Sequence, residues 1–312
     1  MARKKIQFFK EKERELGFGT SSASQRIMNK DGRSNVERRG VHVLNPINLY
    51  HFIITIPWWK FNLIVVSYYL CANLVFASMY YYFGIDQLSG MIAQSNWEKY
   101  TEAFFFSAQT LTTVGYGRIN PTGNTANIIA AIESLTGLLG FALATGLLYG
   151  RFSRPTAKLL FSRNAVMAPF REGTAFMFRL ANARFNSLIE IEAQLMLGYD
   201  EQVNDKTLRR FQQLKLDLPK INFLALSWTV VHPVDEDSPL KGLSAEDLKQ
   251  MNAEFVVMMK AVDDTYAQTV HTRTSYLAQE IIWNAKFTYI IEQNMAGKQH
   301  IDINRIHEFE KL

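Results

Sequence analysis

The stretch TEAFFFSAQTLTTVGYG, residues 101–117, decides how the rest of the chain is interpreted. Its first part, residues 101–112, is apolar enough for a helix of about three turns, which is too short to cross a hydrocarbon core of roughly 30 Å. Two glycines, Gly115 and Gly117, then alternate with larger residues. Backbone that enters a membrane and stops is tolerated only where it is buried in protein or lines a wet pore. The stretch therefore predicts a re-entrant loop, with a pore helix at 101–112 and an extended segment at 113–117.

Two long apolar segments flank this loop and are predicted to cross a membrane. Residues 60–83 carry no charge after Lys60, and residues 124–150 carry a single acid, Glu133. Each segment is long enough, at about 1.5 Å per residue, to span the hydrocarbon core. Basic residues are frequent before the first span and after the second, and they are few in the loop between them. The positive-inside rule therefore places both termini in the cytoplasm and the loop outside.

The composition fits a membrane protein with a basic cytoplasmic surface. The 312 residues carry a formal net charge of +5, and most of the excess is N-terminal. That distribution suits an anionic membrane surface, and no nucleic-acid-binding signature accompanies it, so no nucleic-acid partner is expected. The single cysteine, Cys71, cannot form an internal disulfide. No metal-ligand spacing and no nucleophile with a base is recognisable in the sequence, so neither a cofactor nor enzymatic activity is expected.

The segment before the first span predicts a short helix at the membrane surface. In residues 46–57 the apolar residues recur at helical spacing and form one stripe, and Pro57 is expected to end the helix. Trp58 and Trp59 follow, and paired tryptophans suit the headgroup region. The alternative is that this segment extends the next helix. Residues 1–45 are polar and basic and are predicted to form a partly ordered cytoplasmic arm.

The chain changes character after the second span, and residues 151–312 are predicted to form a cytoplasmic β-sandwich domain. Apolar runs with strand character are residues 174–181, 188–197, 221–231, 254–259 and 265–272. One helix is predicted from Ser244 to about Met251, because Ser244 and Asp247 resemble a capping box. Many short strands with one helix favour a sandwich. The fold class is therefore mixed, with a two-helix pore domain at 58–150 and a β domain after it.

Residues 113–117 have the chemistry of a potassium selectivity filter. A dehydrated K⁺ needs cages of oxygen atoms, which the carbonyls from Thr113 to Tyr116 can supply together with the Thr113 hydroxyl. Consecutive carbonyls point one way only if the backbone alternates between left- and right-handed conformations, which Gly115 and Gly117 permit. Val114 and Tyr116 are expected to point away from the pore and pack against the pore helix. One chain forms one wall of such a tube, so a homotetramer is predicted, with K⁺ as its permeant ligand. The alternative is an ordinary glycine-rich turn. The position of residues 113–117 between two predicted spans disfavours that alternative.

Several separate stretches resemble one family of channels. They are KDGRSNV at residues 30–36, RFSRP at 151–155, FRLANAR at 178–184, SWTVVHP at 227–233, DSPL at 237–240, RTSY at 273–276 and EIIW at 280–283. The first is similar to the family's N-terminal strand, and the interfacial segment is similar to its slide helix. Together with the filter they resemble the inward-rectifier potassium channels, and most closely the prokaryotic (KirBac) branch. The resemblance covers roughly residues 26–290.

The resemblance implies an architecture and a set of constrictions. It implies an immunoglobulin-like cytoplasmic domain whose four copies extend the pore. It aligns Tyr149 with the family's aromatic gate at the inner-helix bundle crossing, and the loop 264–268 with a cytoplasmic constriction. An anchor at the lipid interface is the alternative for Tyr149. Gly137 aligns with a proposed hinge of the inner helix, and close helix packing is a comparable explanation for Gly137, Gly140 and Gly146.

Individual positions along the predicted pore carry further expectations. For Glu133, a hydrogen bond that supports the filter is favoured over direct contact with ions. Strongly rectifying relatives carry an acid at the position of Phe141, so polyamines or Mg²⁺ are expected to be weak blockers at most. Glu190 and Asp264 align with acids that line the relatives' cytoplasmic pore and attract cations. Solvated surface acids are the alternative for both.

Basic residues near the membrane boundary are candidates for lipid binding. Lys60, Arg151, Arg154 and Lys158 are predicted to meet anionic phospholipid headgroups. Ordinary positive-inside topology explains them without a specific site. Arg118 follows the filter directly, where many potassium channels carry Asp, and this puts cation attraction at the outer mouth in doubt.

The sequence therefore predicts a K⁺-selective homotetrameric channel in the plasma membrane, the inner membrane of a bacterium. Gating is expected from movements of the cytoplasmic domain and the slide helix, with little voltage dependence because no arginine-repeat sensor is present. The nearer alternative is a two-helix potassium channel opened by a specific cytoplasmic ligand, although no glycine-rich phosphate loop supports nucleotide binding. An alternative from another class is a membrane-anchored enzyme or binding protein whose β domain acts.

Overall fold

A computed structural model describes residues 26–35, 46–153, 158–203, 206–293 and 299–312. The chain divides into two compact units, each with its own core. A helical unit lies within Arg39–Arg154, and a β unit combines Met1–Arg38 with Pro155–Leu312. Most of the predicted N-terminal arm and Arg154 lie outside the described residues.

The described part of the helical unit contains four α-helices, two of which have the length and composition of membrane spans. The helices are α1 (Pro46–Thr55), α2 (Trp58–Phe83), α3 (Asn96–Leu111) and α4 (Asn124–Phe152). Both α2 and α4 are apolar over most of their length, and only 22% and 11% of their most apolar parts is buried. A core helix of a soluble protein would be mostly buried, so these helices are suited to lipid or to neighbouring helices.

Pro57 separates α1 from α2. Its φ of −55° and ψ of 149° are extended, and a proline supplies no N–H for a continuing helix. The geometry therefore supports a separate helix rather than an extension of the first span.

The pore helix begins earlier than the sequence predicts. The sequence predicts a start at residue 101, whereas α3 begins at Asn96. The Ser95 side chain accepts a hydrogen bond from the Glu98 N–H, and the Glu98 carboxylate accepts one from the Ser95 N–H. This capping box satisfies the first free N–H groups of the helix and fixes its start.

One apolar cluster joins α2, α3 and α4. It comprises Phe76, Tyr80, Leu88, Ala103, Phe106, Leu111, Ile119, Ala126 and Ile129. The rings of Tyr80 and Phe106 meet edge to face with centroids 5.1 Å apart. On the loop side, β1 (Leu88–Ser89) pairs with β2 (Asn120–Pro121). The short helix is thus held between the two spans as a re-entrant element.

The β unit is a sandwich of two five-stranded sheets. Its elements are β3 (Leu159–Phe161), β4 (Ala165–Phe170), β5 (Gly173–Asn182), β6 (Leu188–Val203), β7 (Lys206–Leu214), β8 (Lys220–Phe223), β9 (Ser227–Val234), α5 (Ala245–Gln250), β10 (Glu254–Asp263), β11 (Gln268–Leu277), β12 (Ile281–Trp283), β13 (Ala285–Phe287), β14 (Ile291–Gln293), β15 (Gln299–Ile301) and β16 (Phe309–Lys311). The first sheet has the order β11-β10-β6-β7 with β8 on β6, and the second has β12-β4-β5-β3 with β9 on β5. Phe176 of the second sheet stacks on Phe255 of the first at 4.3 Å. The predicted mixed fold class is confirmed.

The outer face of the second sheet is also covered. The strand pairs β13–β16 and β14–β15 belong to the C-terminal part of the chain. Phe287 and Phe309 pack against Met177 in one small apolar cluster, and Ile290 and Ile306 pack against the Ala181 region in another. Side chains of β5 that point outward, such as Arg179, are therefore largely enclosed.

Several predicted strands need correction. The run 221–231 splits into β8 and β9, and the run 265–272 is strand only from Gln268, because a turn with Ala267 at φ +49° precedes it. The N-terminal segment, residues 26–35, forms a turn with a single bridge between Met28 and Ser34, and its described residues contain no strand.

The N-terminal segment is fixed to the first sheet through its backbone. The N–H groups of Ile27 and Met28 each donate to the buried Glu254 carboxylate at 3.0 Å. The Met28 side chain packs against Met196 and Val256. This segment is therefore an integral part of the β unit.

Candidate functional site

The loop after α3 has an alternating backbone. Thr113, Gly115 and Gly117 have φ values of +61°, +54° and +84°. Positive φ at every second residue turns successive carbonyl groups toward the same side of the chain. A β-carbon at Gly115 or Gly117 would meet no atom of this chain within 4 Å, so backbone strain, not a clash, makes glycine the suitable residue there.

The last turn of α3 holds the start of this loop. The N–H groups of Val114 and Gly115 point at the Gln109 carbonyl at 2.9 Å and 3.4 Å, and the Thr113 N–H donates to the Thr110 carbonyl at 3.0 Å. The pore helix therefore positions the inner end of the loop directly.

The side chains of Val114 and Tyr116 are largely exposed in the single chain. Their exposed fractions in the single chain are 52% and 80%. Most of the surface of each side chain is therefore free to contact another molecule.

Glu133 connects all three helices behind the loop. The carboxylate is fully buried in α4 and accepts a hydrogen bond from the Tyr80 hydroxyl of α2 at 2.7 Å. Its other oxygen lies 2.5 Å from the Ser107 hydroxyl of α3, which is also 3.0 Å from the Asn73 amide oxygen. A buried acid with partners on both neighbouring helices fixes their spacing.

The glycines of α4 have different surroundings. A β-carbon at Gly137 would lie 2.0 Å from the Leu111 carbonyl oxygen of α3, and one at Gly140 would lie 2.9 Å from the Tyr68 ring. Gly146 has no atom of its own chain within 4 Å of such a carbon. Helix α4 is continuous through all three positions. The geometry at Gly137 favours close helix packing over a hinge.

Phe141 and Tyr149 lie on an uncovered face of α4. Each is 74% exposed in the single chain. They are two helical turns apart and so share a face. The chain itself leaves this face free.

Arg151, one of the predicted lipid contacts, forms hydrogen bonds within its own chain. Its guanidinium donates to the carbonyls of Ile53 and Ile56 at the end of α1, at 2.7 Å and 2.8 Å. It also lies 4.5 Å from the Trp58 ring centroid and 4.7 Å from that of Phe61. Because the last carbonyls of a helix lack intrahelical partners, a cation there caps α1 and ties it to the end of α4.

The other predicted lipid contacts are more accessible. Lys60 lies over the Trp59 ring at 5.3 Å. Lys158 is exposed within the β unit. Arg154 is outside the described residues.

The two acids assigned to the cytoplasmic pore lie at irregular positions of the first sheet. Glu190 has φ +49°, next to the register shift between β6 and β10, and its carboxylate pairs with Lys220 at 3.4 Å. Asp264 is exposed in the turn before β11, and its N–H donates to the Ser187 carbonyl. Lys220 offsets part of the negative charge at Glu190, which sequence spacing does not reveal.

An ion pair at the far end of the loop also has no sequence signal. Arg118 donates to Glu102 of α3 at 3.0 Å, and the other Glu102 oxygen accepts from the Ile92 N–H at 3.1 Å. One carboxylate thus joins α3, the residue after the 113–117 loop and the turn before α3.

Two membrane-length helices flank a short helix, and a loop with an alternating left-handed backbone follows that short helix. This arrangement defines a two-span pore-loop ion channel. A family model described as inward rectifier potassium channel C-terminal domain matches residues 159–312, and one described as ion channel matches residues 67–154. The inward rectifier potassium channel Kirbac3.1 of Paramagnetospirillum magnetotacticum is 36% identical over 294 residues, which are 94% of this chain and 98% of that protein. The chain belongs to the inward rectifier potassium channel family, a family of ion channels and not of enzymes.

Vertebrate relatives match over a shorter part of their length. The ATP-sensitive inward rectifier potassium channel 12 of Gallus gallus is 29% identical over 237 residues, 72% of this chain and 54% of that protein. The inward rectifier potassium channel 4 of Homo sapiens is 31% identical over 223 residues, 66% of this chain and 48% of that protein. The chain thus spans about half the length of these two relatives. The resemblance to the prokaryotic branch is confirmed.

Proposed function

We propose that four copies of this chain form a channel in which K⁺ passes between carbonyl cages built by residues 113–117. The observation that carries the proposal is the positive φ at Thr113, Gly115 and Gly117, directly after a re-entrant helix. Carbonyl groups that point one way replace the water of a dehydrated K⁺. Because one chain supplies one wall, a closed cage needs rotational symmetry.

The exposed aromatic and aliphatic side chains around the loop support assembly. Tyr116 and Val114 lie uncovered beside the polar carbonyl row. Burying large apolar side chains contributes about 1.5–3 kcal/mol each, so neighbouring subunits that cover them would stabilise the loop conformation. Glu133 is assigned to the same scaffold through its bonds to Ser107 and Tyr80.

The gate is assigned to Tyr149, with Phe141 lining the cavity above it. Both residues lie on the uncovered face of α4, where four copies could converge. Bulky rings that converge on the axis exclude hydrated K⁺ by steric bulk and dewetting. The alternative, that Tyr149 anchors the helix at the lipid interface, predicts a different mutant phenotype.

Arg151 supplies the link between the slide helix and the gate. It follows Tyr149 by two residues and holds the last carbonyls of α1. Hydrogen bonds to charged groups contribute about 1.5–3 kcal/mol each, so a displacement of α1 would be transmitted to the end of α4. We therefore assign Arg151 to coupling and leave Lys60 and Lys158 as the described candidates for anionic phospholipid headgroups.

The remaining partners follow from charge. Glu190 and Asp264 are assigned to a cytoplasmic pore that attracts cations, with Lys220 reducing the effect at Glu190. Phe141 places no acid in the cavity, so polyamines and Mg²⁺ would block weakly. The proposed location is the bacterial inner membrane, with both termini cytoplasmic.

The test is ⁸⁶Rb⁺ uptake into liposomes that contain the purified channel. Gly115→Ala forces an alanine to φ +54° and should abolish most of the flux while the oligomer survives. Gly242→Ala is the matched control, because Gly242 has φ +73° and equal free space but lies in the β unit. Normal flux with normal K⁺/Na⁺ discrimination in Gly115→Ala would exclude residues 113–117 as the filter.

A further inference from the structure

Arg179 is a buried cation to which the described residues supply no acidic partner. It lies on β5 with 7% of its surface exposed, and its Nη1 is fully enclosed without a hydrogen-bond partner. No acid within the described residues forms an ion pair with it. Burial lowers the pKa of Arg179 to about 10, so the guanidinium stays charged at neutral pH. A buried charge is costly unless an opposite charge compensates it.

Arg209, a second buried arginine of the β unit, differs from Arg179 because it has acidic partners. Arg209 is buried to a similar degree, but it pairs with Asp200 at 2.9 Å and with Glu254 at 3.3 Å. Within the described residues, two carboxylates therefore pair with the Arg209 guanidinium, and no carboxylate pairs with that of Arg179.

Two hydroxyl groups lie beside Arg179 on the same face of the sheet. In the pairing of β5 with β9, Arg179 is directly opposite Thr229, and Ala181 is opposite Ser227. Directly opposite side chains in an antiparallel pair have β-carbons about 4.5–5.5 Å apart and point the same way. Neither hydroxyl has a hydrogen bond within the residues that the structure describes, and both side chains are half-buried.

Phe287 lies against the guanidinium. The ring centroid is 4.6 Å from Cζ of Arg179. An aromatic ring attracts a guanidinium without accepting its N–H hydrogens in the plane, so these N–H groups remain as donors, and they form a fork that matches two oxygens of an oxyanion.

We propose that Arg179, Thr229 and Ser227 form a partly enclosed binding site for a phosphate group, between the outer face of the second sheet and the C-terminal strands that cover it. A phosphate has enough acceptor oxygens for the guanidinium fork and both hydroxyls at once. The phosphate belongs either to a water-soluble compound or to a lipid headgroup, and the chemistry of the site is the same for both.

The first experiment measures thermal unfolding of the purified full-length channel in detergent. Potassium phosphate replaces potassium chloride at constant ionic strength. The wild type should show a saturable rise in the unfolding temperature, because a ligand that binds only the folded state stabilises it. Thr229→Val, which keeps the side-chain shape, should lower the phosphate affinity roughly threefold to tenfold. Arg179→Gln should abolish the rise.

Arg171→Gln is the matched control. Arg171 also lies over a phenylalanine ring, at 4.8 Å, but it pairs with Asp217 at 2.8 Å and is exposed. This variant should respond to phosphate like the wild type. If Arg179→Gln does not fold, the comparison of Thr229→Val with Arg171→Gln still decides the matter.

The second experiment identifies the source of the phosphate. Nanodiscs with phosphatidic acid are compared with nanodiscs of phosphatidylcholine alone. A stabilisation by phosphatidic acid that Arg179→Gln removes supports the site with a headgroup as its ligand, and a response to inorganic phosphate alone supports a soluble ligand. An equal phosphate response in all variants, or none in the wild type, would overturn the proposal. Because no ion flux is measured, the outcome is independent of the proposed filter.

Discussion

Replacing Gly137 by alanine should destabilise the helical unit because the added methyl group has no room. The β-carbon would lie 2.0 Å from the Leu111 carbonyl oxygen, about 1 Å inside the closest approach of real side chains. The obstacle is backbone of the neighbouring helix, which cannot rotate aside. Helix α4 would have to move away from α3, and overpacking of this kind costs about 1–3 kcal/mol.

Gly146→Ala is the control in the same helix. Its β-carbon would meet no atom of its own chain within 4 Å. Both variants gain about 0.5–1 kcal/mol from better helix propensity, so the difference between them isolates the overpacking term. Gly137→Ala should therefore be about 1–3 kcal/mol less stable than Gly146→Ala.

The assay is thermal unfolding of both purified variants in detergent, with ⁸⁶Rb⁺ flux measured in parallel. A hinge at Gly137 predicts the opposite pattern, namely unchanged stability with reduced flux. The packing argument is refuted if Gly137→Ala and Gly146→Ala unfold at the same temperature.

Three further predictions follow from named contacts. Tyr149→Ala should raise flux per channel several-fold at unchanged K⁺/Na⁺ selectivity, whereas lower oligomer stability without extra flux would indicate a lipid anchor. A double-mutant cycle of Arg118→Met and Glu102→Gln should give a coupling below about 1 kcal/mol, because Arg118 is half-exposed, and a value above 2 kcal/mol would contradict this. Burial lowers the pKa of His232, so the unfolded chain binds the proton more readily, and the stability that depends on neutral His232 is lost as pH falls below 6.5. His232→Gln should therefore lose less unfolding temperature than the wild type between pH 7.5 and 5.5, and an equal loss in both would exclude His232 as the cause.

The helical unit could be predicted largely from composition. The spans follow from uncharged length, and the loop between them follows from a helix that is too short to cross. The start of α3 was predictable as well, because Ser95 and Glu98 have the spacing of a capping box, but the apolar run at residue 101 is the more conspicuous feature. The interruption at Pro57 also agrees with its sequence signal.

Contacts between distant residues could not be predicted. Arg151 looks like one of several basic residues at a membrane boundary, and only the fold brings it to the end of α1. The pairing of Arg118 with Glu102 likewise depends on how the loop returns past α3. Strand β7 was missed because its sequence, KTLRRFQQL, is polar for a strand and is held by pairing with β6. In each case tertiary structure, not local preference, determines the outcome.

The attachment of the N-terminal segment has a consequence for the order in which the protein is made. Ile27 is synthesised before both spans, but its partner Glu254 is synthesised 227 residues later. The buried pocket for Met28 also needs Met196 and Val256. The segment therefore leaves the ribosome long before its binding surface exists, and it must wait undocked while both spans enter the membrane. Completion of the β unit is then the event that docks residues 26–35.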